Sequence, residues 1–267
     1  MVAAQRPPAS TSQDRPDTRT PPRPHRATLA RSVRLLRAFR REQHAPADFY
    51  RLLARDTVEQ VRGYARLDGA TVLDVGTGTG FLAREFHAAG ARCAGVDLDV
   101  EQLTALGSAA GCMLAGSAMA LPFQDGAFDV CVSSNVLEHV REPWRMGAEM
   151  IRVTRPGGVV YLAFTPWLSP WGGHETSPWH YLGGERAARR YERKYGRPPK
   201  NRFGETLHRV TVAEALTWAR AQRDVDVLDV IPRYHPSWAK GVVRVPGLRE
   251  FASWNVVLVL RRRHGAN

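Results

Sequence analysis

Lysine is nearly missing from this chain: it occurs only at Lys194, Lys200 and Lys240 among 267 residues, so the formal net charge of +12 is carried by arginine. A GC-rich genome's codon usage produces such a bias, which removes much of the case for a nucleic-acid or membrane partner that the charge would otherwise make. Cysteine is scarce too. Cys93, Cys112 and Cys131 stand apart without metal-ligand spacing, each in or beside a predicted strand, where cysteine usually serves as a small buried hydrophobe. A disulfide framework and a zinc-finger class are thereby excluded. No run approaches 18 consecutive apolar residues, which rules out a helical membrane span. The opening Met-Val-Ala-Ala-Gln-Arg-Pro-Pro has no apolar stretch of a signal peptide, so a cytoplasmic location is expected.

Residues 1–27 are rich in Pro, Thr, Ser and Arg and have no apolar periodicity. They cannot bury enough surface to offset the entropy of ordering, and a disordered basic tail is expected. Residues 28–66 predict a helical cap. Over 28–43, Leu29, Val33, Leu36 and Phe39 form one helical stripe, while Arg31, Arg34, Arg37, Arg40 and Arg41 cover much of the remainder. Such a helix either caps the domain or rests peripherally on an anionic membrane. A second helix is predicted over 47–64, with Phe49, Leu52, Leu53, Val58 and Val61 among its apolar set.

The chain is organised around residues 71–80, Thr-Val-Leu-Asp-Val-Gly-Thr-Gly-Thr-Gly. Val72, Leu73 and Val75 read as a short strand covered on both faces, running into a turn with Gly76, Gly78 and Gly80 at alternate positions. Helical spacing follows over 81–89, so free N–H groups of a helix start point at the turn. That combination suits a nucleotide-like ligand. A dinucleotide fingerprint would need a third glycine where Phe81 stands, and the acidic Asp74 inside the strand disfavours a pyrophosphate while favouring an ammonium group. The next strand, over 91–96, ends in Asp97, placed to accept both hydrogen bonds of a ribose diol. Asp99 reads as the N-cap of a helix over 101–110.

This stretch resembles the first motif of class I S-adenosylmethionine-dependent methyltransferases, and later segments match that family in order and spacing. They are Gly116-Ser117-Ala118-Met119-Ala120-Leu121-Pro122-Phe123, the Phe128-Asp129 start of a fourth strand, Leu137-Glu138-His139, and the turn Arg152-Val153-Thr154-Arg155-Pro156-Gly157-Gly158 before a fifth strand over 159–165. The resemblance implies a Rossmann-like, doubly wound α/β domain over 67–261, with a seven-stranded sheet whose last strand is antiparallel, and S-adenosyl-L-methionine as cofactor. It implies that Asp74, Gly76, Thr77, Gly78 and Gly80 hold the methionine part, that Asp97 and Leu98 hold the ribose, and that Ser117 and Ala118 read the adenine edge. Ser117 replaces the family's acidic residue, which weakens that contact by about 1 kcal/mol. Asn135 and Tyr50 complete the implied cofactor set, Tyr50 because the helix before the first strand often folds over the ligand. Strands over 225–231 and 255–260 close the sheet, a capping box at Thr211 and Glu214 starts a helix between them, and 262–267 reads as a basic tail.

Residues 166–210 form an insertion after the fifth strand, expected to be the acceptor lid. It holds Trp167, Trp171, His174, Glu175, Trp179, His180 and Tyr181, then a basic helix over 185–195 bearing Arg186, Arg189, Arg190, Arg193 and Lys194. Together with Pro232-Arg233-Tyr234-His235-Pro236, it resembles actinobacterial, notably mycobacterial, methyltransferases.

Methyl transfer needs chiefly alignment, worth about 7–11 kcal/mol, and a hydroxyl acceptor adds the loss of a proton, where a base contributes roughly 10²–10⁴ in rate. His139, His174 and His180 are the candidates for that step. His139 has a second reading, as a helix-start histidine bonded to backbone. No metal is expected: quinone-precursor O-methyltransferases, which bind a divalent ion, carry Glu-Met-Leu-Glu-His here, and Asn135 replaces the first glutamate. Gly172, Gly173 and Pro178 also break any zincin helix. Ser134-Asn135-Val136-Leu137 lacks the Asn-Pro-Pro-Tyr type of motif, so sequence-specific nucleic acid is not expected as a partner. The expectation is a methyltransferase acting on a small-molecule or lipid-linked acceptor, more at oxygen than nitrogen. An NAD-dependent oxidoreductase and a non-catalytic cofactor-binding protein are the alternatives.

Overall fold

The computed structural model describes residues 25–41, 45–104 and 112–264. The expectations for residues 1–24 and for the later part of the helix predicted over 101–110 lie outside the described residues. No helix among the described residues is long and apolar enough to cross a membrane.

Seven strands form one sheet: β1 (Thr71–Val75), β2 (Arg92–Asp97), β3 (Cys112–Ala115), β4 (Phe128–Ser134), β5 (Thr154–Phe164), β6 (Val225–Pro232) and β7 (Val256–Arg262). The order is β3-β2-β1-β4-β5-β7-β6. Neighbours among the first five in that row pair in parallel, and β7 runs antiparallel to both β5 and β6, as expected. The chain enters at β1, winds outward to β3 and returns to β4 beside β1. The carboxyl ends of β1 and β4 therefore flank a topological switch point, where open α/β sheets bind ligands.

Alternation along the strands sorts side chains onto two faces. Leu73, Val75, Cys131, Val160 and Leu162 pack with α5 (Pro143–Val153) and α7 (Val212–Ala221). Val72, Val130, Val132, Val159 and Tyr161 pack with α2 (Pro46–Arg62) and α3 (Phe81–Ala88) on the opposite side. Each such fully buried aliphatic residue contributes about 1.5–3 kcal/mol, and a one-residue register slip would exchange the two faces, so the register is strongly specified.

Several of the matched motifs turn out to be struts. Asp129 accepts the Thr71 N–H and hydroxyl, each at 2.7 Å, tying the starts of β1 and β4. Arg152 donates to Glu149, Asp125 and the carbonyls of Leu121 and Phe123, which binds the Leu-Pro-Phe segment to the end of α5. The residues expected as a turn before β5 are already paired, Thr154 with Phe128, and Gly157 at φ +76° accompanies a register shift. The capping box is present in both directions.

Three local expectations are corrected. In α1 (Leu29–Phe39) the buried face is Arg31, Ser32 and Leu35, while Leu29 and Val33 of the predicted apolar stripe are exposed. Arg31 faces inward to an ion pair with Asp56 of α2, which sets this orientation. Cys112 is exposed, unlike Cys93 and Cys131, because β3 is the edge of the sheet. Arg261 and Arg262 belong to β7 instead of a solvated tail: Arg262 donates to the carbonyls of Arg152 and Thr154, and Arg261 to that of Tyr64.

Candidate active site

The glycine turn leaves β1 with Gly76 at φ +74°, Gly78 at +53° and Gly80 at +77°. At Gly76 the constraint is double, since a Cβ there would also lie 2.3 Å from Cγ2 of Val136. The loop after β1 and the loop after β4 therefore touch through a glycine, which forms the floor of the crevice. Beneath it Asp74 is 2% exposed and accepts the Thr77 hydroxyl at 2.7 Å. Burial pushes the Asp74 carboxyl up to about 7, with the Thr77 hydrogen bond opposing and the Asp97 charge reinforcing the rise.

Asp97 stands at the carboxyl end of β2, accepting the Gly78 N–H at 2.8 Å and the Asp99 N–H at 3.0 Å. Its own carbonyl accepts the Gly116 N–H at 2.9 Å, which brings Ser117 and the buried Ala118 alongside. The Ser117 hydroxyl accepts the Met119 N–H at 3.2 Å. Leu98 is exposed beside Asp97, and Tyr50 stacks against Phe81 on the first turn of α3 with ring centroids 6.5 Å apart. Asp74, Thr77, Gly78, Asp97 and Ser117 thus share one edge of the sheet. The side-chain-free approach at Gly76 and the acidic residues Asp74 and Asp97 on adjacent strands are a chemistry that fits S-adenosylmethionine.

Asn135, at the carboxyl end of β4, adopts φ +61° and accepts from Nη1 of Arg233 at 3.2 Å. The 3-10 turn Leu137–His139 follows. Glu138 in it is 1% exposed and accepts the Thr165 N–H at 3.0 Å. His139 bonds through Nδ1 to the Thr206 carbonyl at 2.7 Å. A carbonyl only accepts, so Nδ1 carries the proton and, in the neutral ring, Nε2 keeps its lone pair. The backbone-bonded reading of His139 is thus observed at Nδ1, while Nε2 is the ring nitrogen a base would use. His174, from the insertion, lies against it with centroids 5.0 Å apart. Burial lowers the His174 pKa to about 4, so its ring is neutral near pH 7.

His180 is placed differently. It is 1% exposed, with Nε2 3.2 Å from the Ser169 carbonyl, an edge contact to Trp167, and Gly173 packed against its ring. The structure joins His139 and His174 and keeps His180 within the packing of the insertion. Gly172 and Gly173 serve that packing too, their missing side chains admitting the Trp167 carbonyl and the His180 ring. Helix α6 (Gly184–Tyr195) follows, ended by Gly196 at φ +67°, with its basic residues on the exposed side and Arg190 stacked 3.6 Å over Trp179.

A small cavity of about 30 Å³ lies beside Asn135, lined also by Leu36, Phe39, Thr165, Trp171 and Trp254. Phe39 and Trp171 meet edge to face at 5.4 Å and Trp171 meets Trp254 at 4.9 Å, so the N-terminal cap, the insertion and the segment before β7 converge on it. A larger cavity of about 210 Å³, lined by His25, Tyr64, Asp229 and Lys240 among others, is not lined by any residue of the glycine loop.

Two groups escaped reading from the sequence. Glu138 was visible only as part of a matching Leu-Glu-His, with nothing local to indicate that its carboxylate turns inward. Arg233 is fully buried, donates to Ser134, Asn135 and Thr57, and came from a stretch to which no role had been assigned.

Residues 73–162 match the family described as Methyltransferase domain. A Mycolicibacterium gilvum protein named uncharacterized methyltransferase is 51% identical over 246 residues, covering 88% of this chain and 96% of that protein. A Mycobacterium leprae protein of the same description is 51% identical over 248 residues, covering 89% and 91%. Among solved structures, an S-adenosylmethionine-dependent methyltransferase from Mesorhizobium loti superposes with a TM-score of 0.53 at 20% identity, covering 74% of this chain and 93% of that one. One from Thermotoga maritima does so at 0.52 and 16%, covering 88% and 100%. These last two show the fold, while the mycobacterial relatives are about half identical over nearly nine-tenths of this chain. With a cofactor crevice of matching chemistry, they establish that the chain belongs to this methyltransferase family and uses S-adenosyl-L-methionine.

Proposed function

We propose that the enzyme methylates a hydroxyl oxygen of a small or lipid-linked molecule that reaches the aromatic cavity beside Asn135 with its hydroxyl end, the cavity of about 30 Å³ opening to admit it, and that the hydroxyl proton leaves at the edge formed by Glu138, His139 and His174. S-adenosylmethionine supplies the electrophilic methyl group. The chain's own part is to align the acceptor, keep water out with Phe39, Trp171 and Trp254, and lower the cost of removing the proton.

The observation that carries the reading is the pair of imidazoles at the carboxyl end of β4, with His139 Nε2 left free by the Thr206 bond. A neutral amine acceptor already has its lone pair and gains little from such a group before transfer, whereas a hydroxyl gains roughly 10²–10⁴ in rate. The exposed Leu29 and Val33 beside Arg34 and Arg37 on α1, and the basic side of α6, support an acceptor presented at an anionic surface.

The test is to incubate the protein with isotopically labelled S-adenosylmethionine and either envelope lipid or water-soluble extracts, and to locate the methyl group by NMR. An O-methyl product is expected, with His139→Ala lowering turnover by roughly 10²–10⁴ while calorimetric cofactor binding is retained. An N- or C-methyl product, or full turnover by the variant, would overturn the reading.

A further inference from the structure

We propose that Glu138, His139 and His174 form a binding site for a divalent transition ion of the zinc type. One donor atom from each lies within 4.8 Å of the others, and among the described residues no other group of three His, Cys, Asp or Glu side chains converges in this way. Sequence spacing predicts no metal here, because Asn135 stands at the first position of a Glu-x-x-Glu-His pattern; the third donor, His174, comes from the insertion, which local spacing does not show.

Each donor is available. Oε1 of Glu138 takes the Thr165 N–H, but Oε2 is buried and has no hydrogen-bond partner. Nε2 of His174 is likewise buried without a partner. Two unpartnered buried donor atoms from different segments, in residues whose donor atoms converge, can be satisfied together by one cation. His139 spends its Nδ1 proton on the Thr206 carbonyl at 2.7 Å, the arrangement by which metal-ligating imidazoles are oriented, and presents Nε2. Two imidazole nitrogens and one carboxylate oxygen are the donor set of catalytic zinc with a fourth position open. Donors around such an ion sit about 3.5 Å apart, so binding draws the His174 turn inward. Asn135, whose side chain is held by Arg233, takes no part.

The site adjoins the acceptor pocket. Pocket residue Thr165 is hydrogen-bonded to Glu138, and the carbonyl of pocket residue Trp171 accepts the His174 N–H at 2.9 Å. A cation there favours ionisation of an acceptor hydroxyl, whose proton then passes to solvent because Nε2 of His139 is spent on the ion, so that the ion takes over the part proposed for the free imidazole. That role rests on the hydroxyl-acceptor proposal, whereas the existence of the site does not.

The full-length protein, stripped with chelator, should be titrated with Co²⁺ and followed by visible absorption. One Co²⁺ per chain, displaced by Zn²⁺, is expected, and Glu138→Gln and His174→Ala should each weaken binding by at least roughly 100-fold. Both variants should keep the wild-type affinity for S-adenosylhomocysteine, which reports an intact fold. Absence of Co²⁺ absorption at millimolar metal, or wild-type metal affinity in both variants, overturns the site. An enzyme that methylates hydroxyls but binds no Co²⁺ removes the metal and leaves the acceptor reading standing; Co²⁺ binding by an enzyme that methylates only amines does the reverse.

Discussion

Arg31 of α1 grips Asp56 of α2 through both Nε and Nη2, the Nε bond at 2.6 Å, with each side chain only 7% exposed. The pair does not stand alone. Gln60 donates to Asp56 at 2.7 Å, and Nη1 of Arg31 reaches the carbonyl of Arg233 at 2.8 Å. Arg233 then extends to Ser134 and Asn135 at the end of β4. The N-terminal cap is thus linked through Arg233 to Asn135, which lines the proposed acceptor pocket, so damage to the pair should reach the site.

Arg31→Ala would leave the Asp56 charge buried without its partner, and should destabilise the protein by about 3–5 kcal/mol. Urea unfolding measures this. Replacing both residues by apolar ones, Arg31→Met with Asp56→Leu, should recover most of the loss. If the double variant is no better than the single one, the cost comes from something other than the uncompensated charge.

Gly76→Ala combines positive φ with a Cβ 2.3 Å from Val136. Backbone strain of about 1–3 kcal/mol is expected, and the displaced loops should bind S-adenosylhomocysteine at least tenfold more weakly by calorimetry. Unchanged affinity would mean that the loop contact is not part of the cofactor crevice.

Asp97→Ala removes the acceptor for the Gly78 and Asp99 N–H groups as well as the proposed ribose contact. Hydrogen bonds to charged groups are worth about 1.5–3 kcal/mol, so calorimetry should show the affinity for both S-adenosylmethionine and S-adenosylhomocysteine falling by roughly 10- to 100-fold. A loss confined to one of the two would contradict a contact with their shared ribose.

Asp74 allows a pH test. Its carboxyl titrates near 4 in the unfolded chain and at about 7 in the folded, cofactor-free protein. Between those values the unfolded state ionises first, so the wild type loses stability as pH rises from about 4 to about 7 and is level above. Asp74→Asn lacks this dependence. Urea unfolding of both proteins from pH 5 to 8 should show the wild type falling relative to the variant up to about pH 7; a difference that ignores pH would place the Asp74 pKa at its ordinary value.

Much of the fold was legible because its signals are local. The apolar runs of β1 and β4, the capping box at Thr211 and the glycine ending α6 each depend on neighbours a few residues away, and all appear where expected. The placing of Asp74 in β1, of the glycine turn after it and of Asp97 at the end of β2 was legible for the same reason, since it follows from short apolar runs and the glycines beside them. The orientation of α1 was not. A stripe of Leu29, Val33, Leu36 and Phe39 describes an isolated helix, and the carboxylate that buries Arg31 instead comes from a different helix.

The same division runs through the chemistry. Residue types and short spacings pointed to a nucleotide-like ligand, because a strand, a turn and a helix start already make such a crevice, and the methyltransferase with S-adenosylmethionine as cofactor followed from the resemblance of the later motifs, in order, to that family. Which histidines meet was settled by the path of the insertion, whose turns bring His174 to His139 and pack His180 beneath Trp167. Only packing could turn the Glu138 carboxylate inward with one oxygen unmatched, because burial and the direction of a side chain are properties of everything around it, and no window of sequence contains those neighbours.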